Sequence, residues 1–276
     1  MEITNFSELW RDLVQLGEQR RQWKNTANRE DKWHGRAKDF EERINQRWKQ
    51  KDSSRAFVLQ TLKEFPDSTV LDIGSGSGAW ASLMSPHSRS ITAIDPSASM
   101  LEQLKWRVEA EKLENVDIIQ GCWPEVTAQE HDICFCSHAM YGVEDFSAFV
   151  AAMQKITRKR IILLIRAPQL DGLMAQAAQL VWGHPFDSPN YQIAMNILWE
   201  MKIFPNVIME ATHLWKPWSH PTIEEALLEM KCRLGLLDNK EWDQQLLQLL
   251  KENLKYDNQE YSWPAAMRTA LLYWDQ

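Results

Sequence analysis

The feature that most restricts the fold is VLDIGSGSGAW, residues 70–80, where Gly74, Gly76 and Gly78 separate a short β-rich run from the segment that follows. Glycine reaches positive φ without steric cost and lets a ligand approach the backbone closely. A buried strand, a glycine turn and a helix, in that order, belong to an open parallel sheet, which binds ligands at the carboxyl ends of its strands. ITAID supplies a second strand and ends it on Asp95. A carboxylate there is placed to accept both hydroxyls of a ribose, so the pattern points to a nucleoside-type cofactor.

The rest of the chain fits such a sheet. NVDIIQG, HDICFCS and RIILLI read as further strands, and the segments after Ser97 and in DFSAFVAAMQKI read as the helices between them. Strands alternating with helices at this spacing form right-handed βαβ units, with the sheet covered on both faces. Beyond Arg166 the pattern is helical over 170–182, 189–202, 221–236 and 239–254, while NVIMEATHLW and AMRTALLYW suit an antiparallel edge. The expected fold class is α/β: a Rossmann-like, mostly parallel seven-stranded sheet with helices on both faces. Residues 5–24 read as a helix, and a second helical stretch places Trp33, Ala37, Phe40 and Ile44 on one face. That stripe is too narrow to build a core of its own. Residues 1–55 are therefore expected to form an N-terminal helical lid on a domain spanning 56–276, with helical cap insertions at about 168–190 and 217–257.

Composition narrows the function classes. The net charge is −7, and the region after residue 168 sums to −6, whereas a polynucleotide needs a basic groove. No nucleic-acid partner is expected. The four cysteines form no C-x-x-C pair, which suits a reducing, cytoplasmic setting. Cys134 and Cys136 alternate along one strand and point the same way, as small buried hydrophobes rather than ligands. His184, His213 and His220 lack H-x-x-x-H spacing, so no metal site is expected. The N-terminus lacks the basic and then apolar run of a signal peptide, and no apolar stretch is long enough to span a membrane.

Two cofactors compete for the glycine loop. GSGSGA satisfies a relaxed dinucleotide fingerprint with Ala79 as its third small residue, so a nicotinamide oxidoreductase is the runner-up. Asp72, two residues before the first glycine, and the long helical preamble favour S-adenosylmethionine. VLDIGSGSGAWASLM, ITAIDPSASMLEQLKWR and ENVDIIQGCWPE, followed by HDICFCSHAMYGVED and KRIILLIRAP, resemble a class I S-adenosylmethionine-dependent methyltransferase of the small-molecule type over about residues 56–167. The resemblance implies that Asp72, Gly74, Ser75, Gly76 and Gly78 line the methionine part of the cofactor. It implies that Asp95, with Pro96 beside it, grips the ribose and that Met100 lies against the adenine. The preamble resembles segments in which an aromatic and an arginine fold over the cofactor, which here are Trp33 and Arg36. Where the family commonly has an acid contacting the adenine amine, this chain has Cys122. Backbone groups at Cys122 and Trp123 and the Trp123 ring are the substitutes.

Methyl transfer needs alignment, exclusion of water and, for some acceptors, removal of a proton. The residues facing the methyl group are those ending the fourth strand, Ser137, His138 and Tyr141. His138 is either a general base or a residue that shapes the loop through a backbone carbonyl. Tyr141 either orients the acceptor or packs beneath the cap. The N/D-P-P-Y/F sequence of amide-nitrogen methylating relatives is missing here, and tryptophans crowd the C-terminal region. The expected activity is methyl transfer from S-adenosylmethionine to a small-molecule acceptor, with a non-catalytic nucleoside-cofactor binder as a further alternative. Oligomeric state is left open.

Overall fold

The computed structural model describes residues 4–24, 31, 33, 37–211, 214, 217–265 and 267–276. Arg36, His213 and Trp215 lie outside the described residues, as does the Phe40 side chain. The central sheet is built from β1 (Thr69–Ile73), β2 (Ser90–Asp95), β3 (Val116–Gln120), β4 (His131–Ser137), β5 (Thr157–Pro168), β6 (Asn206–Met209) and β10 (Met267–Asp275). Its order is β3-β2-β1-β4-β5-β10-β6. The pairs β1·β2, β1·β4, β2·β3 and β4·β5 are parallel, and β10 runs antiparallel to both β5 and β6. The sheet is the one expected from sequence, and both strand-like C-terminal pieces join it.

Period-two alternation along these strands divides the interior into two layers. One face carries Leu71, Ile73, Cys134, Cys136, Leu163 and Ile165 against α1 (Phe6–Lys24), α6 (Phe146–Ile156) and α8 (Tyr191–Glu200). The other carries Val70, Ile91, Ile133, Phe135 and Leu164 against α3 (Ser53–Glu64), α4 (Ala79–Met84) and α5 (Ala98–Glu111). Caps set the helix starts: Asp52 accepts from the Arg55 amide, Ser97 from Met100, Asp145 from Ala148 and Asn190 from Gln192. Cys134 and Cys136 are fully buried free thiols, and burial pushes Cys134 up to about 12. No helix among the described residues is long and apolar enough to cross a membrane.

The N-terminal segment divides in two. Helix α1 enters the main core: Trp10 is fully buried, stacks 4.5 Å from Phe146 and donates its indole N–H to the Val143 carbonyl at 2.8 Å. Helix α2 (Ala37–Arg47) lies instead against α5.

The cap is also more than helices. It comprises α7 (Leu173–Trp182), α9 (Ile223–Arg233) and α10 (Asp243–Asn253). To these are added β7 (Ser219–His220), β8 (Lys255–Asp257) and β9 (Glu260–Ser262), which form a second sheet in the order β7-β9-β8. The helical insertion expected at 217–257 is thus a mixed unit that runs on to Trp263. It has its own hydrophobic cluster, with Leu173, Ala178, Met230, Leu246, Leu250 and Trp263 at its centre.

Candidate active site

The glycine loop leaves β1 and reaches α4 with all three glycines in the left-handed region: φ is +69° at Gly74, +54° at Gly76 and +81° at Gly78. Each is glycine for a different reason. A Cβ on Gly74 would stand 2.1 Å from the Ala139 Cβ, so Gly74 lets the loop after β4 close onto the glycine turn. A Cβ on Gly78 would stand 2.2 Å from Leu104 Cδ1, so Gly78 lets α4 pack on α5. A Cβ on Gly76 would meet nothing within 4 Å, which puts open space over the middle of the loop.

The acid ending β2 completes this turn. Asp95 Oδ2 accepts from the Gly76 amide at 2.9 Å and Oδ1 from the Ser97 amide at 2.9 Å. Each oxygen keeps capacity for a further donor. Burial raises the Asp95 pKa against the pull of the Ser97 and Gly76 amides. Asp72 lies deeper, at 1% exposed, and burial followed by the nearby Asp95 charge lifts it to about 8. Its Oδ2 and the buried Ser75 hydroxyl have no hydrogen-bond partner. Two orphaned polar groups beside an open glycine cradle fit a polar, nucleoside-type ligand.

Most of the other expected cofactor residues lie on the segments that follow β2 and β3. Met100 is in the first turn of α5 and buried. Pro96 is exposed, and its carbonyl accepts from the Gln120 amide group at 3.4 Å. Cys122 is exposed, and the half-buried Trp123 donates its indole N–H to the Phe149 carbonyl at 3.3 Å. Next to Trp33 is an anchor that sequence reasoning missed. Asp31 accepts from the Ser97 hydroxyl at 2.7 Å, the Ser99 amide at 2.8 Å and the Trp33 amide at 2.9 Å. These donors outweigh burial and hold the Asp31 carboxyl down at about 2. Arg107 extends the same clasp, donating to the Ser77 carbonyl at 3.1 Å and pairing with Glu41 at 2.6 Å. At the far end of α2, Arg47 pairs with the buried Glu210 at 2.5 Å.

The end of β4 forms a polar knot. Ser137 is half-buried, and His138 follows it with φ +56°, a left-handed backbone that a histidine rarely adopts. The Tyr141 hydroxyl accepts from the Arg166 amide at 2.7 Å, so its single proton is directed to His138 Nδ1, also at 2.7 Å. Nε2 then carries the ring proton and donates to Thr269 Oγ1 at 3.2 Å, an assignment fixed by the hydrogen-bond pattern. Burial, with the Arg47 and Arg166 charges, lowers the His138 pKa well below the usual imidazole value, and the ring stays neutral.

Beyond the knot is a cavity of about 260 Å³, lined by His138, Tyr141 and Arg166 on the sheet side and by Trp218, Trp263 and Asp187 on the cap side. Sequence reasoning did not single out Arg166, Asp187 or Trp263. Arg166 gave one signal, a cation that ends the apolar run 161–165 of β5. Among the described residues no group of His, Cys, Asp and Glu could hold a metal ion.

Residues 70–160 match a family model described as a methyltransferase domain. A malonyl-[acyl-carrier protein] O-methyltransferase of Hamiltonella defensa is 26% identical over 130 residues, covering 46% of this chain and 49% of its own length. The chain therefore spans about half the length of that curated relative. The plantazolicin methyltransferase BpumL, solved in complex with SAH, superimposes with a TM-score of 0.55 at 15% identity, over 99% of this chain and 100% of its own. The YcgJ protein of Bacillus subtilis gives 0.50 at 15% identity, over 80% and 98%. Both likenesses are of fold.

Proposed function

We propose that this chain, which carries a class I S-adenosylmethionine-dependent methyltransferase domain, binds that cofactor over the Gly74–Gly78 loop and methylates a small molecule held in the cavity beside Tyr141. The observation that carries the reading is Gly76, whose amide is tied to Asp95 while the space above it is open. The sheet supports it further. Antiparallel β10 stands between β5 and β6, a departure from the 3-2-1-4-5-6 order of dinucleotide folds, and this weakens the nicotinamide alternative.

Asp95 would hold the ribose, and Asp72 and Ser75 would take up polar groups of the methionine end. The 31–47 segment would act as the lid, clasped at Ser97, Ser99 and Arg107. The chemistry supplied on binding is a methyl group already activated by its sulfonium, so the protein's work is alignment and water exclusion. His138 is best read as a positioning residue. Its neutral ring holds the Tyr141 hydroxyl, and Thr269 holds the ring.

Titration calorimetry with S-adenosylmethionine and with NADH tests the cofactor, and transfer of labelled methyl into a metabolite extract tests catalysis. Asp95→Ala should weaken S-adenosylmethionine binding by about 1.5–3 kcal/mol, the range for hydrogen bonds to a charged group. NADH binding without S-adenosylmethionine binding would refute the reading.

A further inference from the structure

The cavity beneath the cap holds two opposite charges that the protein itself does not pair. The Arg166 guanidinium lies 3.7 Å from the centre of the Tyr141 ring, and among the described residues no carboxylate lies within ion-pair distance of it. Asp187, in the segment between α7 and α8, lines the same space. It accepts from the Ser188 hydroxyl at 3.2 Å and meets no cation at ion-pair distance among the described residues. Burial raises its pKa, while Arg166 and Arg233 pull the other way, so the three groups share one electrostatic environment. Arg233 is already committed, paired with Glu229 at 2.7 Å and stacked 3.6 Å from the centre of the Trp218 ring.

The rest of the wall is largely apolar and aromatic. Trp263 is 5% exposed and lines the cavity, while its indole N–H is buried out of reach of it and without an acceptor. Leu173, Met174 and Met267 make much of the remaining wall apolar. Charged groups left without an ion partner in a partly buried space are costly, so a ligand of this cavity should complement both. A simple anion would satisfy Arg166 and confront Asp187. A simple cation would do the reverse. One molecule carrying both charges satisfies both.

We propose that the acceptor is a compact zwitterion with an apolar body, its carboxylate held by Arg166 and its ammonium by Asp187. This rests on the reading that the cavity receives the methyl acceptor. Charge-assisted hydrogen bonds at both ends give recognition that an analogue lacking either end cannot recover.

The test is calorimetric binding to the full chain, with and without S-adenosylhomocysteine. The probes are apolar α-, β- and γ-amino acids, each matched with the amine and the acid made by removing one charged group. A zwitterion should bind at least about tenfold tighter than either matched analogue. Asp187→Asn should abolish its advantage over the acid, and Arg166→Gln its advantage over the amine. Arg166→Lys should retain part of that advantage. The variants should keep wild-type affinity for S-adenosylhomocysteine and a wild-type melting temperature. Amine or acid binding as tightly as the zwitterion would overturn the proposal, as would a panel in which nothing binds. Failure to bind S-adenosylhomocysteine refutes the methyltransferase reading instead, and the panel titrated alone still decides the pocket.

Discussion

Asp72 ties stability to pH. Its carboxyl sits near 8 in the folded protein against 3.8 for the unperturbed group. Between those values the folded chain binds a proton that the unfolded chain has released. Its contribution to stability is therefore full below about pH 4, declines as pH rises through the window and is lost above about pH 8. Asp72→Asn removes the titration, so its melting temperature should fall less than wild type between those limits. Parallel curves for the two proteins would contradict the assignment. His138 makes the opposite kind of statement, because a ring held neutral below its usual 6.5 is a poor proton acceptor whose charge does not change near neutrality. His138→Ala should lower turnover by less than the roughly 10²–10⁴ of a lost general base. The wild-type kcat/KM profile should show no inflection near pH 6.5 from this residue. A full loss of turnover together with such an inflection would restore the base.

At the scale of elements, the N-terminal segment is two devices, and a truncation cannot separate them. Removing residues 1–50 would strip Trp10 from the core along with the clasp at Asp31 and Glu41. Point changes do separate them. Trp10→Ala should cost about 3–5 kcal/mol in denaturant unfolding, as a large buried aromatic does. Glu41→Gln should leave stability nearly unchanged, since Arg107 keeps Glu111 at 3.1 Å, and, if α2 serves the lid as proposed, should weaken cofactor binding by loosening α2 from α5. Unchanged affinity would remove α2 from the lid. The spacing of Leu9, Trp10 and Leu13 marks α1 as amphipathic, but only the fold reveals that the stripe meets α6 and α8. The glycine loop, the succession of strands along the chain and the Ser97 cap are local signals and were readable in advance. The small sheet was not, because β8 and β9 are three residues each and their turn lacks glycine. Asn258 and Gln259 supply it with φ of +49° and +65°, and Tyr256 stacks on Tyr261 at 4.8 Å. Arg166, Asp187 and Trp263 escaped for a related reason: they lie far apart in sequence, and only folding brings them to one cavity.

The whole molecule has an unequal distribution of order. Two hydrophobic clusters share the seven-stranded sheet and are locked together through it. The third is made from α7, α9, α10 and Trp263, and no strand of the large sheet contributes to its buried centre. Among the described residues, α1 packs against α9, and Trp182 lies against both this cluster and the main core. The Gly172 amide bonds the Gln169 carbonyl where β5 leads into the cap, and Leu16 of α1 lies close against Gly235 after α9. A unit with its own small core, outside the large sheet, is expected to open more easily than that sheet. The acceptor cavity lies along that seam, with Arg166 and Pro168 on the sheet side and Pro217, Trp218 and Trp263 on the cap side. If the acceptor binds there as proposed, opening of the cap would admit it. In native hydrogen exchange, amides of α9, α10, β8 and β9 should exchange together and at lower free energy than those of β1, β4 and β5. The gap should be widest at low denaturant and close as denaturant brings global unfolding down to it. Equal protection of cap and sheet would mean that the molecule opens only as a whole, and that the acceptor enters by a path other than this seam.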